Sequence, residues 1–102
     1  METLERIDAG PGLTEAATGM AISTYGGATV PANGSGSWSA NLGDLDYNGY
    51  AGISVYSSNA TYNLKVTAVW RQRTSDTQSV CFTVQNQSNQ DTPITVQLLT
   101  IA

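Results

Sequence analysis

Histidine is absent from this 102-residue chain, cysteine occurs once, and lysine is one of only four basic residues. Each shortage closes a route. One thiol cannot pair within the chain, so a disulfide framework is excluded, and without imidazole a His/Cys zinc site is excluded too. Ser-His-Asp and Cys-His nucleophiles both need a histidine. A nucleic-acid track needs clustered Lys and Arg, whereas the net charge here is −4. Arg71 and Arg73 form the one close basic pair, and two arginines on a strand read as solvated edge charges. No stretch approaches the roughly 20 apolar residues of a membrane span. These counts predict neither a nucleic-acid nor a membrane partner. The opening METLERIDAGPG carries three acids and no apolar signal core, so synthesis in a cytoplasm without a secretory signal is expected. Cys81 reads as a small buried hydrophobe.

What fills the chain instead is uncharged polarity: 36 residues are Ser, Thr, Asn or Gln. Charge is concentrated at one end. Glu2, Glu5, Arg6, Asp8 and Glu15 are five of the twelve charged residues. Gly10-Pro11-Gly12 would stop any helix started there. Residues 1–19 therefore read as an N-terminal arm, with Leu4, Ile7 and Leu13 as its apolar contacts. Residues 20–102 read as a separate domain.

That domain alternates with period two. Trp38, Ala40 and Leu42 oppose Ser37, Ser39 and Asn41; Ala51, Ile53 and Val55 oppose Tyr50, Ser54 and Tyr56. Over 61–73, Tyr62, Leu64, Val66, Ala68 and Trp70 share a face, which predicts Trp70 in the core beside Trp38. Val80, Phe82 and Val84 line the 78–86 run, and Ile94, Val96 and Leu98 the 93–101 run. Shorter strands are expected at 20–25 and 28–31. β-Branched and aromatic residues dominate these runs, and the alternation fits half-buried strands. Asn33-Gly34 and Asn48-Gly49 have the chemistry of tight hairpin turns. Short connections make the strands mostly antiparallel. The expected fold is all-β: an antiparallel two-sheet β-sandwich, jelly-roll-like, of six to seven strands, with an extended N-terminal arm.

The last strand departs from this pattern. Leu99 and Ile101 put apolar side chains on the face opposite Leu98. A solvated strand would keep polar residues there, so Leu99 and Ile101 are expected to meet another subunit.

Little catalytic chemistry is present. Asp44-Leu-Asp46-Tyr-Asn48-Gly49 matches the opening of a calcium loop, in which alternate oxygens converge on a hard cation. The twelfth position is Val55, where a bidentate Glu is needed. Asp44, Asp46 and Asn48 are therefore a weak calcium candidate, and a side-chain-capped turn is the plainer reading. Lys65 shows no sign of the desolvation that makes a lysine nucleophilic. The expectation is no cofactor and no enzyme. Three Asn-x-Ser/Thr triplets are near the number that composition predicts. Tyr47, Tyr50 and Tyr56 are clustered, and outward tyrosines among Ser and Asn suit contact with sugars or proteins.

The run VPANGSGSWSANLGDLDYNGYAGISVY, then ATYNLKVTAVW, then SVCFTVQNQSNQDTPITVQLLTIA resembles small β-sandwich modules of tailed-bacteriophage virions. These occur as capsid decoration (cement) proteins and as tail-fibre tips. The likeness covers residues 30–102: an Asn-Gly-Ser turn leading into a Trp strand, the Val84–Asn89 turn, and an alternating C-terminal strand. It implies a non-enzymatic decoration protein on the virion surface that self-associates, as a trimer, and binds the major capsid protein. The arm is similar to those by which decoration proteins clasp neighbours. The alternative it implies is a fibre-type module binding a host glycan or receptor through the tyrosines.

Overall fold

The computed structural model describes residues 2–3, 5–8 and 19–101. These form eight strands and no helix: β1 (Glu2–Thr3), β2 (Glu5–Asp8), β3 (Met20–Val30), β4 (Ser35–Asn41), β5 (Tyr50–Tyr56), β6 (Leu64–Arg73), β7 (Gln78–Asn86) and β8 (Thr92–Ile101). Two four-stranded sheets result, in the orders β1-β4-β7-β6 and β2-β3-β8-β5. The six long strands are antiparallel within their sheets; β1 adds to β4 in parallel and β2 to β3 antiparallel. The expected arm contacts Leu4 and Leu13 lie outside the described residues, and of Ile7 only its backbone place in β2 is described.

The sheets share one core. Trp38 and Ala40 of β4 and Val80, Phe82 and Val84 of β7 meet Tyr25, Ala28 and Val30 of β3 and Ile94, Val96 and Leu98 of β8. Val30, Ala40, Phe82, Val84 and Val96 are wholly buried. All eleven lie on β3, β4, β7 and β8, the strands that have a neighbour on both edges. Trp38 and Phe82 are a direct cross-strand pair, their tilted rings 6.2 Å apart, within the range of favourable aromatic contact.

A buried carboxamide stands at each end of β7, on its core face. Gln78 Nε2 donates to the carbonyls of Asp44, Leu45 and Tyr47 at 2.9–3.2 Å. Asn86 Nδ2 donates to the Val30 carbonyl, the Gln90 carbonyl and Thr92 Oγ1 at 2.9–3.1 Å, while its Oδ1 accepts from the backbone and hydroxyl of Ser88. Irregular backbone over the ends of a core needs such partners, since an unpaired buried carbonyl is costly. No described buried side-chain nitrogen or oxygen is left without a partner.

Three expectations need correction. First, 20–25 and 28–31 are one strand: β3 runs through a bulge between Tyr25 and Ala28, where Gly27 takes a φ of +87°, a conformation that costs glycine little. Second, the Asn-Gly turns are not hairpins. Asn33 does adopt a positive φ of 53°, but the β3–β4 and β4–β5 connections pass from one sheet to the other. Among the long strands only β6–β7, around Thr74–Thr77, joins neighbours. Third, Trp70 is not core. A bulge lies between Val66 and Ala68, and the extra residue, Thr67, reverses which side chains face inward. Val69 takes the register opposite Phe82 and Trp70 that opposite Cys81, on the outer face; on this edge strand both stay open to solvent, 49% and 40% exposed. Tyr62, expected on the inner face, precedes the strand and is exposed.

Candidate functional site

Strand register assembles a surface from three distant segments. On the outer face of β3-β8-β5, Ile22 pairs with Leu99, which pairs with Gly52; Met20 pairs with Ile101, which pairs with Tyr50. Directly paired residues on antiparallel strands project to the same side. Leu99 and Ile101 therefore lie at the centre of an apolar patch flanked by Met20, Ile22 and Tyr50. The four aliphatic residues are half-buried and Tyr50 is 58% exposed. Farther along the face come Thr24, Gln97 and Ser54, then Thr95 and Tyr56. No charged residue occurs among these positions of β3, β8 and β5; the nearest by register is Asp8 of β2, paired with Thr24.

Tyr50 lies along its own strand. A Cβ at Gly52 would meet the Tyr50 ring and hydroxyl at 2.6–3.0 Å, so the glycine leaves room for the ring to cover the sheet beside Leu99. Sequence alternation singled out Leu99 and Ile101. It could not place Met20 and Ile22 beside them, since that needs the β3–β8 register.

The three tyrosines do not form one platform. The Tyr47 hydroxyl is hydrogen-bonded to the carbonyls of Tyr50 at 2.6 Å and Ile101 at 2.8 Å. Tyr50 and Tyr56 are at opposite ends of β5, six residues apart and so about 20 Å.

The Asp44–Gly49 segment is built around side-chain and backbone contacts. Asp44 Oδ1 accepts from the Asp46 N–H at 2.9 Å, and the Asp44 carbonyl accepts from the Tyr47 N–H, an Asx-capped turn. The carbonyls of Asp44, Leu45 and Tyr47 face the Gln78 amide. Asp46 pairs with Arg73 at 3.6 Å, both side chains exposed. Arg71 donates to the Gly49 carbonyl at 2.8 Å and lies 5.7 Å from the Tyr47 ring centre. Both arginines thus tie the edge strand β6 to this loop. Among the described residues no three His, Cys, Asp or Glu side chains are grouped as a metal site.

The chain matches no protein-family model, no curated protein and no solved structure.

Proposed function

We propose that the protein is a non-enzymatic structural component of a phage virion, a capsid decoration or cement module that packs through the outer face of β3-β8-β5. The observation that carries this reading is the charge-free apolar patch around Leu99 and Ile101. Sheet faces left to solvent alternate towards polar residues; this one gathers four aliphatic side chains and an aromatic ring. A chain of net charge −4 can bring the Leu99 and Ile101 rows of two copies together without opposing like charges there. The occupant is a second copy of the chain, in a trimer completed on the shell, and the capsid protein is the further partner of the N-terminal segment, whose β1 and β2 edge the chain's own two sheets.

The strand order also supports a jelly roll. The six long strands, ordered β3-β8-β5 in one sheet and β4-β7-β6 in the other, follow the order of that fold with one strand fewer in each sheet. The tail-fibre alternative, with Tyr47, Tyr50 and Tyr56 as a glycan surface, has less support, because Tyr47 is committed to backbone carbonyls and the other two are far apart.

The test is sedimentation of the full chain with Leu99→Glu beside it. The reading expects a concentration-dependent oligomer that the glutamate reduces to a folded monomer. A wild-type chain that remains monomeric both free and on the shell overturns the self-association. Antibody labelling of tails rather than heads overturns the capsid placement.

A further inference from the structure

The outer face of the other sheet has a different chemistry. Strand register lays out transverse rows across β4, β7 and β6: Ser39, Cys81 and Trp70 in one, Asn41, Ser79 and Gln72 in the next. The Thr74–Thr77 hairpin closes the end. The side chains between Trp70 and the hairpin enclose an open recess of about 280 Å³.

We propose that this recess binds a neutral saccharide, one sugar ring at a time, with Trp70 as the stacking surface beside it. Three observations carry the proposal. Among the described residues the lining holds hydroxyls, carboxamides and one thiol and no charged group, so it offers no countercharge to a phosphate, a carboxylate or an amine. The amide donors are uncommitted among the described residues. Asn41 Oδ1 accepts from the Gly43 N–H at 2.8 Å, and Gln72 Oε1 accepts from the Cys81 thiol at 3.7 Å. Each amide therefore has its oxygen engaged and its NH2 group available. The hydroxyls of Ser39 and Ser79 make no hydrogen bond to another described residue, whereas Ser37 and Thr83, one row away, satisfy each other at 2.8 Å. Finally, Trp70 adds an exposed aromatic face to this polar ground. A sugar presents hydroxyls at its edge and C–H groups on its face, which is the complement of amides and hydroxyls bordered by an indole.

The rim is held in place. Thr74 Oγ1 accepts from the Asp76 and Thr77 backbone at 3.0–3.2 Å, so the hairpin is shaped before any ligand arrives. This face is on the opposite side of the sandwich from the Leu99 patch. Binding here does not depend on the assembly reading, and the two can fail separately.

The experiment is a heteronuclear NMR titration of the full chain with neutral trisaccharides of glucose, galactose, mannose and N-acetylglucosamine, each to about 10 mM, beyond the weak end of ordinary affinities. At least one should shift signals confined to the outer face of β4-β7-β6. Trp70→Ala should weaken that sugar at least about tenfold. Trp70→Phe should weaken it less, and Gln72→Ala should weaken it with Trp70 intact. Thr29→Ala, exposed on β3 of the other sheet, should leave it unchanged. Far-UV circular dichroism establishes that each variant is folded. Shifts from none of the four sugars, shifts on the β3-β8-β5 face, or full affinity in folded Trp70→Ala would each overturn the proposal. Shifts from a protein partner alone would reassign the face to protein contact.

Discussion

Tyr47 is fastened to Ile101 across 54 residues: its hydroxyl lies 2.8 Å from the Ile101 carbonyl and 2.6 Å from the carbonyl of Tyr50, the residue paired with Ile101 in the sheet. One hydroxyl proton serves two acceptors, at the point where β5 and β8 meet the β4–β5 loop. Gly49 makes this possible, since a Cβ there would collide with the Tyr47 hydroxyl and the Ile101 carbonyl. Tyr47→Phe should cost about 1 kcal/mol, the net worth of one such hydrogen bond, measured as a lower urea midpoint at unchanged slope. It should also raise hydrogen exchange at the ends of β5 and β8.

Asn86 should be far more sensitive. It is 1% exposed, and its amide serves three acceptors while its oxygen serves two donors. Asn86→Ala strands the Val30 carbonyl in the interior and frees the β7–β8 turn. A loss of about 3 kcal/mol is expected in equilibrium denaturation. A loss below about 0.5 kcal/mol, the level of ordinary surface changes, would show that the network is not what closes this end of the core.

Gly36 makes room for Trp38. A Cβ at residue 36 would fall against the six-membered ring of the indole, and that indole is buried. The obstacle is a core side chain with nowhere to move, so Gly36→Ala should destabilise by roughly 1–3 kcal/mol, as overpacking does. Tryptophan fluorescence should shift as the buried indole is displaced, and a Trp70→Phe background isolates that signal.

Cys81 gives a pH dependence of known sign. Burial pushes its thiol above the ordinary value, because the thiolate is disfavoured away from water. The unfolded chain therefore ionises first as pH rises. The thiol's contribution is fully present below the unfolded value, about 8.5, and is lost as pH rises through the folded one. The stability difference between the wild type and Cys81→Ala should be constant below pH ~8 and should move against the wild type above it. The same burial predicts slow labelling by a thiol reagent until the chain unfolds.

The alternation of β4, β5, β7 and β8 was legible because each keeps a strict period of two against a core or a solvated face. β6 was misread beyond Val66 because one inserted residue, Thr67, exchanges its faces, and nothing about Thr67 distinguishes it in sequence from an ordinary outward threonine. Asn33-Gly34 showed that the chain turns but not where it goes next. A hairpin and a crossing to the facing sheet use the same left-handed residue, and the packing of distant strands decides between them. At the candidate site, Leu99 and Ile101 were visible as apolar residues out of phase with their neighbours. Met20 was not, since its proximity to Ile101 arises only when strands 81 positions apart are paired.

That pairing bears on how the molecule comes into being. β8 lies between β3 and β5 in its sheet, yet it is synthesised after the other seven described strands. Until it arrives, β3 and β5 have no partner between them, and each presents a bare edge on which a second nascent chain could pair. Closure must await β8 and then join residues up to 81 positions apart, a search that makes folding slow. Slowing translation should therefore do little to help this protein fold, whereas lowering the concentration of unfinished chains should help a great deal.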